Sequence, residues 1–306
     1  MVKRLAFLGV PFDGAATLGW PGSRYAPDEV RRNLAWMRMR VEDGRIYWID
    51  RDEVVPFDPD SFEDAGDVAV VPHDLMATLA ATRSRVTELA AAGWVPIVVG
   101  GDDSILFPAV AGVHDAVEGT VAVVHFDAHL DLTDGNPAQG THSQSSGMRR
   151  ALELERVDPR RCVQVGTRNF NFPSSKAFID SIGLTEIPAA RVLSDGVAAS
   201  LETIDAVTAG ADHVLVSVDI DVLDPAFAPG VGWQEPGGLS SRQLLDLLVA
   251  LAPTAGGLAV NEVNPMTDHR SQTSILAANL IFQFAVAAGI GSRPANPSGS
   301  RAGDRR

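Results

Sequence analysis

Residues 119–132 read GTVAVVHFDAHLDL: a largely apolar run, Thr120–Phe126, passes without a break into Asp127, His129 and Asp131. The run has the length and character of a strand buried on both faces. Period two at its end is expected to point the three polar side chains to one face. Carboxylate, imidazole and carboxylate side by side are costly to desolvate unpaired. A divalent cation offsets that cost, and this mixture suits Mn, Zn, Fe or Ni better than Mg or Ca. The plainer alternative is an exposed strand end whose charges coincide.

Similar runs occur at Leu5–Val10, Trp94–Val99, Cys162–Val165, His213–Val218 and Gly257–Val260. Helical stretches alternate with them at Pro27–Arg38, Asp74–Ala92, Ser146–Leu154, Leu201–Thr208, Ser241–Leu251 and Ser274–Gly289. Asp74 and Ser241 read as N-caps and Gly93 as a C-cap. This alternation predicts an α/β fold: a three-layer α/β/α domain over 1–290 with a central, mainly parallel sheet. From Gly291 the chain is rich in Pro, Gly, Ser and Arg and reads as a disordered tail over 291–306.

Ligands of open α/β sheets bind beyond the carboxyl ends of the strands. Two further strand runs end in polar clusters there. Trp94–Val99 leads into Gly100-Gly101-Asp102-Asp103-Ser104, after which the chain resumes as a helix, so helix capping explains part of this cluster. His213–Val218 leads into Asp219 and Asp221, then an Asp224-Pro225 turn. One D-x-D is weak; two D-x-[HD] pairs after separate strands can converge on one pocket with ligands enough for two metals.

The composition bounds the partners. The 306 residues hold 39 Asp+Glu against 25 Lys+Arg, a net charge of −14, which opposes nonspecific binding to nucleic acid or anionic lipid. Cys162 is the lone cysteine, so no internal disulfide can form. By this reading no apolar run reaches the roughly 18–20 residues of a membrane span, and the start is too short in apolar residues for a signal peptide. A cytoplasmic protein is expected. A nucleotide-binding reading is weak, because no G-x-G-x-x-G or G-K-[ST] accompanies the Gly100-Gly101 pair.

Taken in order, Gly100–Ser104, Asp127–Asp131, Ser217–Pro229, Gly237–Ser240 (GGLS) and Glu262–Pro265 (EVNP) make the sequence resemble the ureohydrolases, a family of arginase, agmatinase and guanidino-acid hydrolases with formiminoglutamase as a cousin. The resemblance spans roughly residues 5–285, including an agmatinase-like opening, GVPFDGAATLGWPGSRYAPDEVR. It implies an arginase-like fold, two Mn(2+) per subunit bridged by hydroxide, and attack on a guanidino carbon to release urea. It further implies that Asp127 and Asp219 bridge the metals, with His129 and Asp221 on one and Asp131 on the other. Glu262 stands where the family binds the guanidinium, and His142 near where relatives carry a proton-shuttling histidine. Trp233, in GVGWQEPGG, replaces a usually small residue and is a candidate for stacking on the substrate cation. A homo-oligomer, trimer or hexamer, is also implied.

The departure from the pattern is Asp103, where the family has a histidine ligating the metal shared with Asp131. Five carboxylates (Asp103, Asp127, Asp131, Asp219, Asp221) against the +4 of two divalent ions leave one surplus negative charge. At about 4 Å and an effective dielectric near 20 that charge is worth about 4 kcal/mol. It predicts altered metal preference or pH optimum, or a metal-binding member with impaired catalysis. Thr133 stands where arginases carry an Asn, which disfavours arginine as substrate. An agmatine-like or ω-guanidino-acid substrate is expected, with a formimino-group hydrolase, suggested by Ser145-Ser146-Gly147, as the alternative.

Overall fold

The computed structural model describes residues 3–290; the tail expected to be disordered lies outside the described residues. Strands are β1 (Arg4–Gly9), β2 (Arg45–Trp48), β3 (Glu53–Pro56), β4 (Phe62–Asp67), β5 (Trp94–Val99), β6 (Val121–Phe126), β7 (Val163–Val165), β8 (Thr185–Ile187), β9 (His213–Asp219) and β10 (Ala255–Asn261). Helices are α1 (Ala26–Arg38), α2 (Leu75–Ala91), α3 (Leu106–Ala116), α4 (Gly147–Leu152), α5 (Pro173–Ile182), α6 (Ala189–Thr208), α7 (Ser241–Leu251) and α8 (Gln272–Ile290).

Eight strands form one sheet in the order β4-β1-β5-β10-β9-β6-β7-β8, with every neighbouring pair parallel. β2 and β3 make a separate antiparallel hairpin. Alternation along the strands feeds two cores. Phe7, Ile97, Phe126, Val218 and Val260 pack with α1, α6, α7 and α8, while Leu8, Val98, Val123, Leu215 and Ala259 pack with α2, α3, α4 and α5. This is the expected α/β/α sandwich. The four strands after which polar clusters were read, or where Glu262 follows, stand side by side as β5-β10-β9-β6. Their carboxyl ends therefore open on a common edge.

Several boundaries differ from the sequence reading for local reasons. Strand β4, FEDAGD, has no apolar run because it pairs only with β1 and is mostly open on its outer side. Helix α6 begins at Ala189, well before Leu201, and Gly196 with φ 88° interrupts it, hiding its first half from a helical periodicity. The N-cap of α7 is Ser240 rather than Ser241: Ser240 accepts from Gln243 N, and Gln243 returns a bond to the Ser240 backbone. Asp74 caps α2 as expected, accepting from Ala77 N at 3.0 Å. Helix α8 corrects the membrane argument, because it is long and apolar enough to span by length and composition. It is instead largely buried, packed into the core with α1 and α7.

Candidate metal centre

The end of β5 is shaped by close backbone approach. A Cβ on Gly101 would come within 1.6 Å of the Phe12 carbonyl oxygen, so only glycine fits. Asp102 is used up in fastening the loop: it accepts from Ala15 N at 2.9 Å and Ser104 N at 3.1 Å, the capping role anticipated for this cluster. Asp103 points the other way. Its backbone N–H donates to Glu262 Oε1 at 3.0 Å, and its Oδ1 accepts from Asn261 Nδ2 at 2.9 Å. Glu262 N in turn donates to Gly101 O at 2.8 Å. Glu262 itself holds φ 61°, a strained conformation for a residue with a side chain.

Strand alternation does not bring the remaining acids together. β6 ends at Phe126 and β9 at Asp219, so most of the polar residues lie beyond the regular strands. Short aspartate turns do the work instead. Asp127 Oδ1 accepts from His129 N at 2.6 Å, and Asp219 Oδ1 from Asp221 N at 2.9 Å. Asp221 Oδ1 accepts from Ala128 N at 3.1 Å, which ties the two turns to each other. Asp131 reaches the site through a left-handed backbone, φ 48°, and its side chain lies beside that of Asp103. His129 Nδ1 is 3.1 Å from Asp221 Oδ2 and 3.5 Å from Asp127 Oδ1, with Glu235 Oε1 3.6 Å from its other nitrogen.

The donors form two groups that share Asp127: Asp103, His125 and Asp127, then Asp127, His129 and Asp221. Asp219 is buried beside them. Burial pushes the Asp103 carboxyl up to about 7, and lifts Asp131, Asp219 and Glu262 well above their usual range, with neighbouring carboxylates adding to the shift. Burial acts the same way on Asp127, but the flanking imidazoles of His125 and His129 outweigh it and hold that group low. Burial lowers His129, yet Asp221 and Asp127 raise it overall. Asp103 Oδ2, His125 Nε2 and Asp127 Oδ2 are buried without any hydrogen-bond partner. Buried carboxylates that outnumber the cationic groups beside them, with Asp103 Oδ2 and Asp127 Oδ2 left over, are what a bound cation satisfies, so the residues fit a divalent metal pair.

A cavity of about 370 Å³ opens on this centre. His129, Asp131, Asp219, Asp221 and Glu262 line its base, and Trp233 lines its wall. Trp233 is not packed under a loop; it is mostly exposed and donates from Nε1 to Glu235 Oε1 at 2.8 Å. His142 is not brought to the cavity. Its ring lies 5.8 Å from that of Phe107 on α3, and burial lowers its pKa. Asp103 is buried behind the cavity lining, under Gly147, where a Cβ would meet its carbonyl oxygen at 2.4 Å and its Oδ2 at 2.8 Å.

Four contributors escaped the sequence reading. His125 sits inside the β6 run, where a lone histidine looks like core. Asn261 and Glu235 orient Asp103 and border His129 from distant segments. Arg168 donates to the carbonyls of Asp221 at 2.7 Å, Glu235 at 2.6 Å and Val222 at 3.1 Å, pinning the loops that carry Asp221 and Trp233.

The family model described as "Arginase family" matches residues 3–287. The guanidinopropionase of Pseudomonas aeruginosa is 34% identical over 283 residues, covering 92% of this chain and 85% of that protein. The proclavaminate amidinohydrolase of Streptomyces clavuligerus is 35% identical over 287 residues, covering 91% and 87% respectively. The crystal structure of formimidoylglutamase from Bacillus subtilis superposes with a TM-score of 0.83 at 26% identity, covering 95% of this chain and 88% of that one. With the strand-end acids, the parallel sheet and these similarities in agreement, the chain belongs to the arginase family and is a hydrolase of guanidino or amidino C–N bonds.

Proposed function

We propose that the protein is a manganese-dependent amidinohydrolase that releases urea from a small ω-guanidino substrate, agmatine-like or an ω-guanidino acid. The observation that carries this reading is the pair of acid–imidazole groups sharing Asp127, placed beside the buried Glu262 carboxylate. Asp103, Asp127, His129, Asp131, Asp219 and Asp221 would hold two Mn(2+) ions. When bound, such a pair supplies Lewis acidity and lowers the pKa of water toward neutrality.

The chain's own groups account for recognition. Glu262 keeps Oε1 for the Asp103 N–H, while Oε2 lies toward Gly232 on the cavity side. That oxygen can take a charge-assisted bond from a planar guanidinium. Trp233 offers an aromatic face to the same cation. Further out, the lining includes Gln139, Gln144, Ser145, Asn171 and Ser175, neutral groups that suit a hydrogen-bonding tail, and among the described residues no lysine or arginine. In the reaction water oxygen adds to the guanidino carbon, the bond from that carbon to the alkyl-bearing nitrogen breaks, and the departing amine gains a proton. His142, away from the cavity, is assigned no step.

A formimino-group hydrolase is the second reading. It is favoured by Ser145 in the cavity lining and by Gly147 packed on Asp103. It would give formamide instead of urea, and assay of both products from Mn-loaded protein separates the two. Failure to turn over either class with both metals bound would support a binding-only member. We also propose a cytoplasmic homo-oligomer, trimer or hexamer; exposed Tyr47, Ile49 and Val54 on the β2–β3 hairpin support association, which sedimentation tests.

A further inference from the structure

His129 turns one ring nitrogen to the acids of the centre and the other away from them. Nδ1 is 3.1 Å from Asp221 Oδ2 and 3.5 Å from Asp127 Oδ1. Nε2, across the ring, is 3.6 Å from Glu235 Oε1. A neutral imidazole that gives its Nδ1 lone pair to a metal keeps its one proton on Nε2, and that N–H needs an acceptor.

Glu235 is held in place to be that acceptor. Trp233 Nε1 donates to Oε1 at 2.8 Å, and Asn169 Nδ2 donates to Oε2. Asn169 takes a left-handed backbone, φ 62°, in the segment that follows β7, a conformation asparagine tolerates better than most residues. Arg168 donates to the Glu235 carbonyl at 2.6 Å and to the Asp221 carbonyl at 2.7 Å, which ties the backbone of this acid to that of a metal-side aspartate. Both donors on the carboxylate are neutral. Among the described residues, the imidazole of His129 is the one cationic group that pairs with it. Glu235 stands on the side of the ring away from Asp127 and Asp221, so it reaches the centre through His129 and not as a ligand.

We propose that Glu235 is a positioning residue for the metal centre. Its carboxylate accepts from the His129 Nε2–H, fixes the tautomer that presents a lone pair at Nδ1, and makes that nitrogen a stronger donor to the metal. The same carboxylate holds the indole of Trp233, so one acid sets both a metal ligand and the wall of the cavity. This inference rests on the binuclear reading above.

NMR of the full-length protein, carrying nitrogen-15 histidine and loaded with diamagnetic Cd(II), reads the His129 proton directly. Wild type is expected to show cadmium coupled to Nδ1 and a downfield, slowly exchanging Nε2–H; Glu235→Ala should lose that slow exchange. In Mn(II) calorimetry, Glu235→Ala should weaken one of two sites about ten- to hundredfold. Glu235→Gln should recover most of the loss, because its amide oxygen still accepts from the imidazole once the Asn169 amide turns. Trp233→Phe removes the indole bond to Glu235 and should leave both Mn(II) affinities at the wild-type value. A wild-type Nε2–H in free exchange, cadmium coupled to Nε2, or unchanged affinities in Glu235→Ala would overturn the role of Glu235 and leave the binuclear reading intact. Failure of the wild-type chain to bind two ions would overturn both. The wild-type spectrum decides the point even if Glu235→Ala does not fold.

Discussion

The Asp103 backbone N–H donates to Glu262 Oε1 at 3.0 Å, joining the ends of β5 and β10 across 159 residues of sequence. One carboxylate thus has two tasks, with one oxygen holding the metal-side loop and the other facing the cavity. The tasks separate on mutation. Glu262→Gln keeps an acceptor for Asp103 and should leave the melting temperature unchanged, while kcat/KM falls by about a hundredfold or more because the charge facing the guanidinium is lost. Glu262→Ala should in addition cost about 1–3 kcal/mol of stability, because the Asp103 N–H is left without a partner. Equal melting of the two variants would contradict this division.

Metal affinity should depend on pH in a direction set by Asp103. Burial pushes this carboxyl up to about 7, and a metal ion must displace its proton. Below that value the proton competes, so Mn(II) affinity weakens as pH falls from 8 to 6, by about twofold over the first unit and about fivefold over the second for one displaced proton. Calorimetric titration at pH 8, 7 and 6 measures it. An affinity that stays flat or rises on acidification would be inconsistent with a buried, protonatable ligand.

Trp233 stands on the cavity wall rather than in the core, so its loss should alter substrate choice and spare the metals. Trp233→Ala is expected to raise KM for a guanidinium substrate about tenfold, the value of a cation–aromatic contact of about 1 kcal/mol or slightly more. The metal content should remain that of wild type. An unchanged KM would place the indole outside the bound complex.

Arg168 bonds carbonyls on both loops beside the centre, and burial lowers its pKa despite the surrounding acids. Arg168→Met should leave several carbonyls unpaired, lower stability by about 3 kcal/mol, and loosen metal binding through Asp221. Thermal melting with and without Mn(II) checks both effects. A variant as stable as wild type would show that water replaces the guanidinium freely.

The sequence carries the fold where strands are buried on both faces and conceals it where they are not. β5, β6, β9 and β10 are legible as apolar runs, but β4 is a polar edge strand, and the glycine kink at Gly196 conceals the start of α6. The spacing of Asp127, His129, Asp131, Asp219 and Asp221 singles out residues that the fold does bring together, but by a different device from the one expected. Aspartate turns and a left-handed Asp131 gather them, rather than the alternation of a strand. His125 is hidden because only the folded sheet reveals its proximity to Asp103. His142 illustrates the converse: the resemblance suggests a role, while its ring lies against Phe107 and is not among the residues lining the cavity.

The most direct test of the account is a product assay on full-length protein loaded with Mn(II), across agmatine, guanidinobutyrate, shorter guanidino acids, arginine and a formimino amino acid. Urea and an equal amount of amine are expected from at least one ω-guanidino compound, with activity abolished by a chelator and restored by Mn(II). Two bound ions with no urea from any of them, or formamide as the sole product, would contradict it.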